Sequence, residues 1–84
     1  MIDHRGLKVV VGDSDRTVLE LLQIRLDLAG FHTCVARSGP PVLDTLKVIR
    51  PAAMVLDLGL PEIDGYEVLR RWRDAVKSRH VQSW

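Results

Sequence analysis

Ala52-Ala53-Met54-Val55-Leu56-Asp57-Leu58-Gly59-Leu60-Pro61-Glu62-Ile63-Asp64-Gly65-Tyr66-Glu67-Val68 passes from an apolar run, through a turn-rich loop, into a helical pattern. The run Ala52 to Leu56 is short, continuous and free of polar residues, which predicts a strand, the third of the chain and the most buried. Asp57 follows it directly. A carboxylate in that position is desolvated unless a cation or hydrogen-bond donors meet it, so Asp57 is a candidate functional residue. Asp64 and Glu67 have the spacing of a capping box, in which Asp64 accepts from early helix N–H groups and Glu67 reaches back. The helix that follows carries Tyr66, Val68, Leu69, Trp72 and Val76 as its apolar positions.

The same succession of strand and helix occurs twice upstream. Lys8-Val9-Val10-Val11 is a β-branched run ending at Gly12, and Asp13-Ser14-Asp15 then offers three residues able to cap a helix. From Thr17, the residues Val18, Leu19, Leu22, Leu26 and Ala29 fall at helical spacing, with Arg25 and Asp27 outward, until Gly30 supplies the left-handed stop. Phe31, Thr33 and Val35 alternate with His32, Cys34 and Ala36 as a short second strand. Ser38-Gly39-Pro40-Pro41 leads into a second helix, about residues 42–49, with Val42, Leu43, Leu46 and Ile49 on one side and Pro51 after it. Three βα units in succession predict an α/β fold with a parallel sheet. The final His80-Val81-Gln82-Ser83-Trp84 has no strand pattern.

Length and composition close off several other classes. Eighty-four residues make one small domain, and 46% apolar with 27% charged side chains is a globular balance. No apolar stretch approaches the roughly 20 residues that cross a bilayer. The opening Met1-Ile2-Asp3-His4-Arg5 lacks the apolar run of a signal peptide, so a cytoplasmic location is the expectation. The single Cys34 excludes an internal disulfide and reads as a small buried hydrophobe. The net charge of +1 hides an asymmetry, because residues 1–69 hold seven Lys/Arg against ten Asp/Glu while residues 70–84 hold five against Asp74 alone. No aromatic or glycine interleaving accompanies those late cations, so a solvated helix face is expected rather than a nucleic-acid surface.

In a parallel sheet the C-terminal strand ends share one edge, and ligands bind there. Asp13 follows the first strand and Asp57 the third, so adjacency of those strands brings both carboxylates together. Two or three hard oxygen ligands with water completing the shell is how Mg²⁺ is usually held.

The stretch Val9-Val10-Val11-Gly12-Asp13-Ser14-Asp15, together with Met54 to Val68, resembles the receiver domain of two-component response regulators. The likeness extends over nearly the whole chain and includes Ala36-Arg37-Ser38-Gly39 before the second helix. It implies a truncated flavodoxin-like (βα)₃ fold whose three-stranded parallel sheet has the order 2-1-3, one partial receiver domain over residues 1–84. It further implies that Asp57 accepts a phosphoryl group from a histidine kinase or phosphotransfer protein with Mg²⁺ bound. Asp13 matches the first residue of the family's acidic pair, and Gly59 the residue whose backbone carbonyl joins the metal. The second acid of that pair is Ser14 here, a poorer ligand for a hard dication, which implies weak Mg²⁺ binding with Ser14 or Asp15 as the further candidate ligand. A full receiver continues for two more βα units carrying a Ser/Thr and a Lys that read the phosphoryl group, so impaired switching is expected of this chain.

Two other readings follow from the same residues. Asp13-Ser14-Asp15-Arg16-Thr17 also resembles the Asp-x-Asp-x-Thr signature of haloacid dehalogenase-like phosphatases, which would make Asp13 the nucleophile and Asp15 an acid/base. A degenerate receiver-like fragment acting only by binding or dimerising is the other. His32 reads as a structural or surface histidine, and Trp72 as either a packing or a partner residue. Without a fourth strand, the third has an open edge, which predicts a homodimer formed by edge pairing or by the uncovered faces of the first and third helices.

Overall fold

The computed structural model describes residues 6–79, so Met1-Ile2-Asp3-His4-Arg5 and the His80 to Trp84 stretch lie outside the described residues. The elements run β1 (Lys8–Gly12), α1 (Arg16–Leu28), β2 (His32–Ala36), α2 (Gly39–Val48), β3 (Ala53–Leu56) and α3 (Gly65–Arg79). The strands form one parallel sheet in the order β2-β1-β3. Val9 lies opposite Thr33 on one side and Ala53 on the other, and Val11 opposite Val35 and Val55.

β1 is the strand the rest of the molecule packs around. Successive side chains point to opposite faces, so Val9 and Val11 meet Leu19, Leu22, Leu26 and Phe31, while Val10 meets Val42, Leu46, Leu60 and Val68. Helix α1 therefore covers one face, and α2 with α3 the other. The helix limits follow local chemistry. Asp15 caps α1, its Oδ1 accepting from the N–H groups of Thr17 at 2.8 Å and Val18 at 3.4 Å. Gly30, at φ +95°, makes the left-handed exit from that helix. Pro40 and Pro41 stand in the first turn of α2, where a missing N–H costs nothing, so the helix starts earlier than its apolar spacing alone predicts.

The structure corrects three readings of the sequence. The most buried strand is β1, not β3: Ala53 and Val55 are exposed, and Met54 and Leu56 half-buried. The cause is position in the sheet. β1 has a neighbour on each side and helices above and below, whereas β3 is an edge strand and α1 lies chiefly over β1 and β2. The second correction concerns α3, where Val68 is buried and Trp72 and Val76 half-buried, but Tyr66 and Leu69 face outward. His32 fits its reading, exposed on β2, whereas Cys34, read as a buried hydrophobe, is half-buried against the α2-side core because β2 is an edge strand.

The division between core and surface leucines is sharp enough to test. Leu46 is 6% exposed and Leu28 84%. Leu46→Ala should destabilise the domain by about 2–5 kcal/mol, and Leu28→Ala should stay within about 0.5 kcal/mol of the parent, both measured by urea denaturation.

Candidate functional site

The pairing of β1 with β3 ends at Gly12 opposite Leu56, and the chain continues into Asp13 and Asp57 side by side. The Asp57 N–H donates to the Gly12 carbonyl at 2.8 Å, and the Asp13 N–H donates to the Ala36 carbonyl at 3.1 Å. Both carboxylates therefore stand at the C-terminal edge of the sheet, each half-buried.

Each carboxylate commits one oxygen to its own loop. Asp13 Oδ1 accepts from the Asp15 N–H at 2.9 Å, and Asp57 Oδ1 accepts from the Gly59 N–H at 3.0 Å. Among the described residues nothing donates to Asp57 Oδ2. Asp15 is exposed and acts as the α1 cap, the structural alternative open to it. Ser14 is exposed, and its backbone carbonyl accepts from Arg37 Nη2 at 3.1 Å and Nε at 3.3 Å. Arg37 thus ties the loop after β2 to the loop after β1. Its place in Ala36-Arg37-Ser38-Gly39 was visible in sequence, but nothing local signals a bond to a carbonyl more than twenty residues away.

The loop from β3 to α3 is closely seated. Gly65 N–H donates to the Leu58 carbonyl at 3.3 Å, and a Cβ on Gly65 would stand 2.6 Å from the Asp57 carbonyl oxygen. Glycine is needed there for the backbone of the Asp57 segment to pass. At Glu62 the chain takes a φ of +68°, and the Ile63 N–H donates back to the Pro61 carbonyl at 2.8 Å. This three-residue turn is an uncommon conformation for a non-glycine residue.

Asp64 performs the capping predicted for it, its Oδ1 accepting from the Glu67 N–H at 2.8 Å. Glu67 does not reach back to complete the box. Its carboxylate is instead held between Arg70 and Arg71, accepting from Arg70 Nε at 2.9 Å and Arg71 Nε at 2.7 Å, because cations three and four residues on lie on the same helix face. Arg70 also reaches Asp74 at 3.1 Å. Much of the basic charge that follows residue 69 is therefore engaged within α3.

Among the described residues no three His, Cys, Asp or Glu side chains gather into a group able to hold a metal. The two strand-end carboxylates remain a suitable donor set for Mg²⁺, which binds through one or two carboxylates and keeps several waters.

The sequence model of the response regulator receiver domain matches residues 9–81. This chain belongs to that family. Relatives include the response regulator MprA of Mycobacterium avium, 39% identical over 67 residues, covering 80% of this chain and 29% of the relative. MprA of Mycobacterium tuberculosis is 39% identical over 68 residues, covering 81% and 30%. Among solved structures, the receiver domain of the Francisella response regulator 1452 superposes with a TM-score of 0.79 at 25% identity, covering 84% of this chain and 59% of that one. A CheY-like receiver domain protein from Methanospirillum hungatei gives 0.73 at 32% identity, covering 82% and 55%. The receiver chain thus spans under a third of the curated relatives and a little over half of the solved receivers. The order β2-β1-β3 with three helices is the flavodoxin-like arrangement expected of it. Among the described residues no helix is long and apolar enough to cross a membrane.

The clamp on Glu67 makes the receiver's α3 sensitive to acid. Hydrogen bonds from Arg70, then Arg71, hold this carboxyl at about 2, below its ordinary 4.5. A depressed folded-state value contributes stability above the unfolded value and loses it as pH falls through the folded one. Melting temperature should therefore fall between pH 4.5 and 2, and Glu67→Gln should flatten that fall. Circular dichroism melts across this range check it.

Proposed function

We propose that this receiver chain is a cytoplasmic phosphoacceptor module of two-component signalling, a signalling acceptor rather than a turnover enzyme, with Asp57 as the residue modified. The observation that carries this reading is the placement of Asp57. It stands at the end of β3 beside Asp13, one oxygen fixed by the Gly59 N–H and the other without a donor among the described residues. A carboxylate oriented in this way presents a lone pair to an incoming phosphorus atom. The new O–P bond forms as the donor's P–N bond breaks, giving an acyl phosphate, and the departing imidazole takes up a proton. Phosphoryl transfer of this kind is mostly positioning and charge neutralisation.

Asp13, Asp57 and the Gly59 carbonyl are the groups that would hold Mg²⁺. When bound, the cation lets an anionic donor approach an anionic acceptor. Ser14 supplies a neutral hydroxyl where a second acid would strengthen the site, and Asp15 is engaged at the α1 N-terminus, so binding is weak. The donor is a sensor histidine kinase or a phosphotransfer protein, and no nucleic acid is bound directly.

Incubation with acetyl phosphate and Mg²⁺ tests the assignment. Asp57 should be labelled, Asp57→Asn should abolish labelling, and Asp13→Asn should mainly weaken metal binding. Labelling at Asp13 would favour phosphatase chemistry, and no labelling of a folded chain would leave a module that acts by binding alone.

The 84-residue chain is also a homodimer in this reading. Strand β3 presents an open edge, and Val55 on its α1-side face is 43% exposed. Such an edge is a template for a second strand, and pairing about a two-fold axis is antiparallel. Sedimentation at micromolar concentration should give a dimer that Val55→Glu breaks without loss of helix content. A compact monomer from the unaltered chain would refute it.

A further inference from the structure

The side of the domain away from α1 carries a groove that the phosphoacceptor chemistry does not use. It lies between α2 and α3, has a volume of about 350 Å³, and is floored by Pro40, Leu43, Leu46, Ile63, Trp72 and Val76. Asp44, Lys47 and Arg71 stand at its rim. A second hollow shares Trp72 and Val76 with it and is otherwise lined by Arg73 and Lys77. The indole is only half-buried and lines both.

Of the cations around this indole, Lys47 and Lys77 are the loosely held ones, and Arg71 and Arg73 each also meet an α3 carboxylate, Glu67 at 2.7 Å and Asp74 at 3.8 Å. Arg71 is anchored to Glu67 through Nε alone, and among the described residues its two terminal nitrogens have no hydrogen-bond partner. Lys47 approaches Asp44 at 3.6 Å, with both side chains about three-quarters exposed, a pair that contributes little. Lys77 has no carboxylate partner among the described residues. Four cations line the two hollows, Asp44 is the one acid among the lining residues, and Lys47 and Lys77 carry the charge that α3 does not itself engage.

We propose that the α2–α3 groove around Trp72 is a docking site for an acidic amphipathic helix of a partner protein. The apolar floor takes aliphatic anchors spaced one helical turn apart, as in other helix-in-groove contacts. The volume suits a few such side chains and not a whole helix, so the partner's acidic flanks remain at the rim, opposite Lys47, Arg71, Arg73 and Lys77. A Trp flanked by arginines is the composition that dominates binding energy in protein interfaces. A phosphate backbone would use the cations and leave the apolar floor unfilled, which is why a helix is the better match. The inference does not rest on phosphorylation of Asp57.

The test uses the 84-residue chain carrying Trp84→Phe, which leaves Trp72 as the one indole. The probe is a designed helix of about 15 residues, with leucines on one face and glutamates on the other, compared with a lysine-faced twin. The glutamate peptide should shift Trp72 emission to the blue and move amide resonances of residues 39–48 and 65–77. The lysine twin should bind at least about tenfold more weakly, and Lys47→Glu with Lys77→Glu, both at exposed positions, should reverse the preference. Equal binding of the two peptides, no binding of either, or shifts centred on β3 and α1 would overturn the proposal.

Discussion

The hydrogen bond from the Asp57 N–H to the Gly12 carbonyl joins two strands that are distant in sequence, and the site exists because of it. It sets the β1–β3 register in which Gly12 faces Leu56, and thereby fixes which residues leave the sheet together. On the other side of β1, the Asp13 N–H closes onto Ala36. The end of β1 is therefore held from both neighbours. A slip of β3 by one residue would turn Met54 and Leu56 to the opposite face and separate the two carboxylates. Core packing and the pairing of the two carboxylates depend on the same register.

Around that junction, polar groups serve the loops before they serve a ligand. One oxygen of Asp13 closes a turn onto Asp15, Asp15 caps α1, one oxygen of Asp57 orders Gly59, and Arg37 braces Ser14. What is left over for chemistry is a smaller set than the count of acids at this edge suggests. Among the described residues this edge accordingly holds no cluster of three metal-ligating side chains.

The parts of the fold legible in the sequence are those fixed by local chemistry. The valines of β1, the helical spacing of Leu19, Leu22 and Leu26, the stop at Gly30 and the prolines opening α2 each depend on near neighbours, and each is found where expected. Asp13 and Asp57 were legible too, since strand ends of a parallel sheet converge. What escaped depends on distance or competition. Val55 has the composition of a buried strand, but its exposure follows from its place at the sheet edge and from where α1 lies. Glu67 had the spacing of a capping partner, yet two arginines on its own helix face outcompete a single backbone N–H for its carboxylate. The left-handed Glu62 carries no compositional mark, because neither glycine nor asparagine occupies the position.

The central place of β1 also orders the folding of the molecule in time. The β1–α1–β2 unit closes over a short span, whereas β3 must return from the far side of α2 to pair Ala53 with Val9. Loop-closure entropy makes that return the less favourable search, and contacts of high sequence separation form late. Asp13 acquires its neighbour Asp57 only at that step. A partly opened chain that has lost β3 would keep the β1–β2 pair while Asp13 stands without Asp57, so the strand-end pair of carboxylates exists only once the last strand has docked.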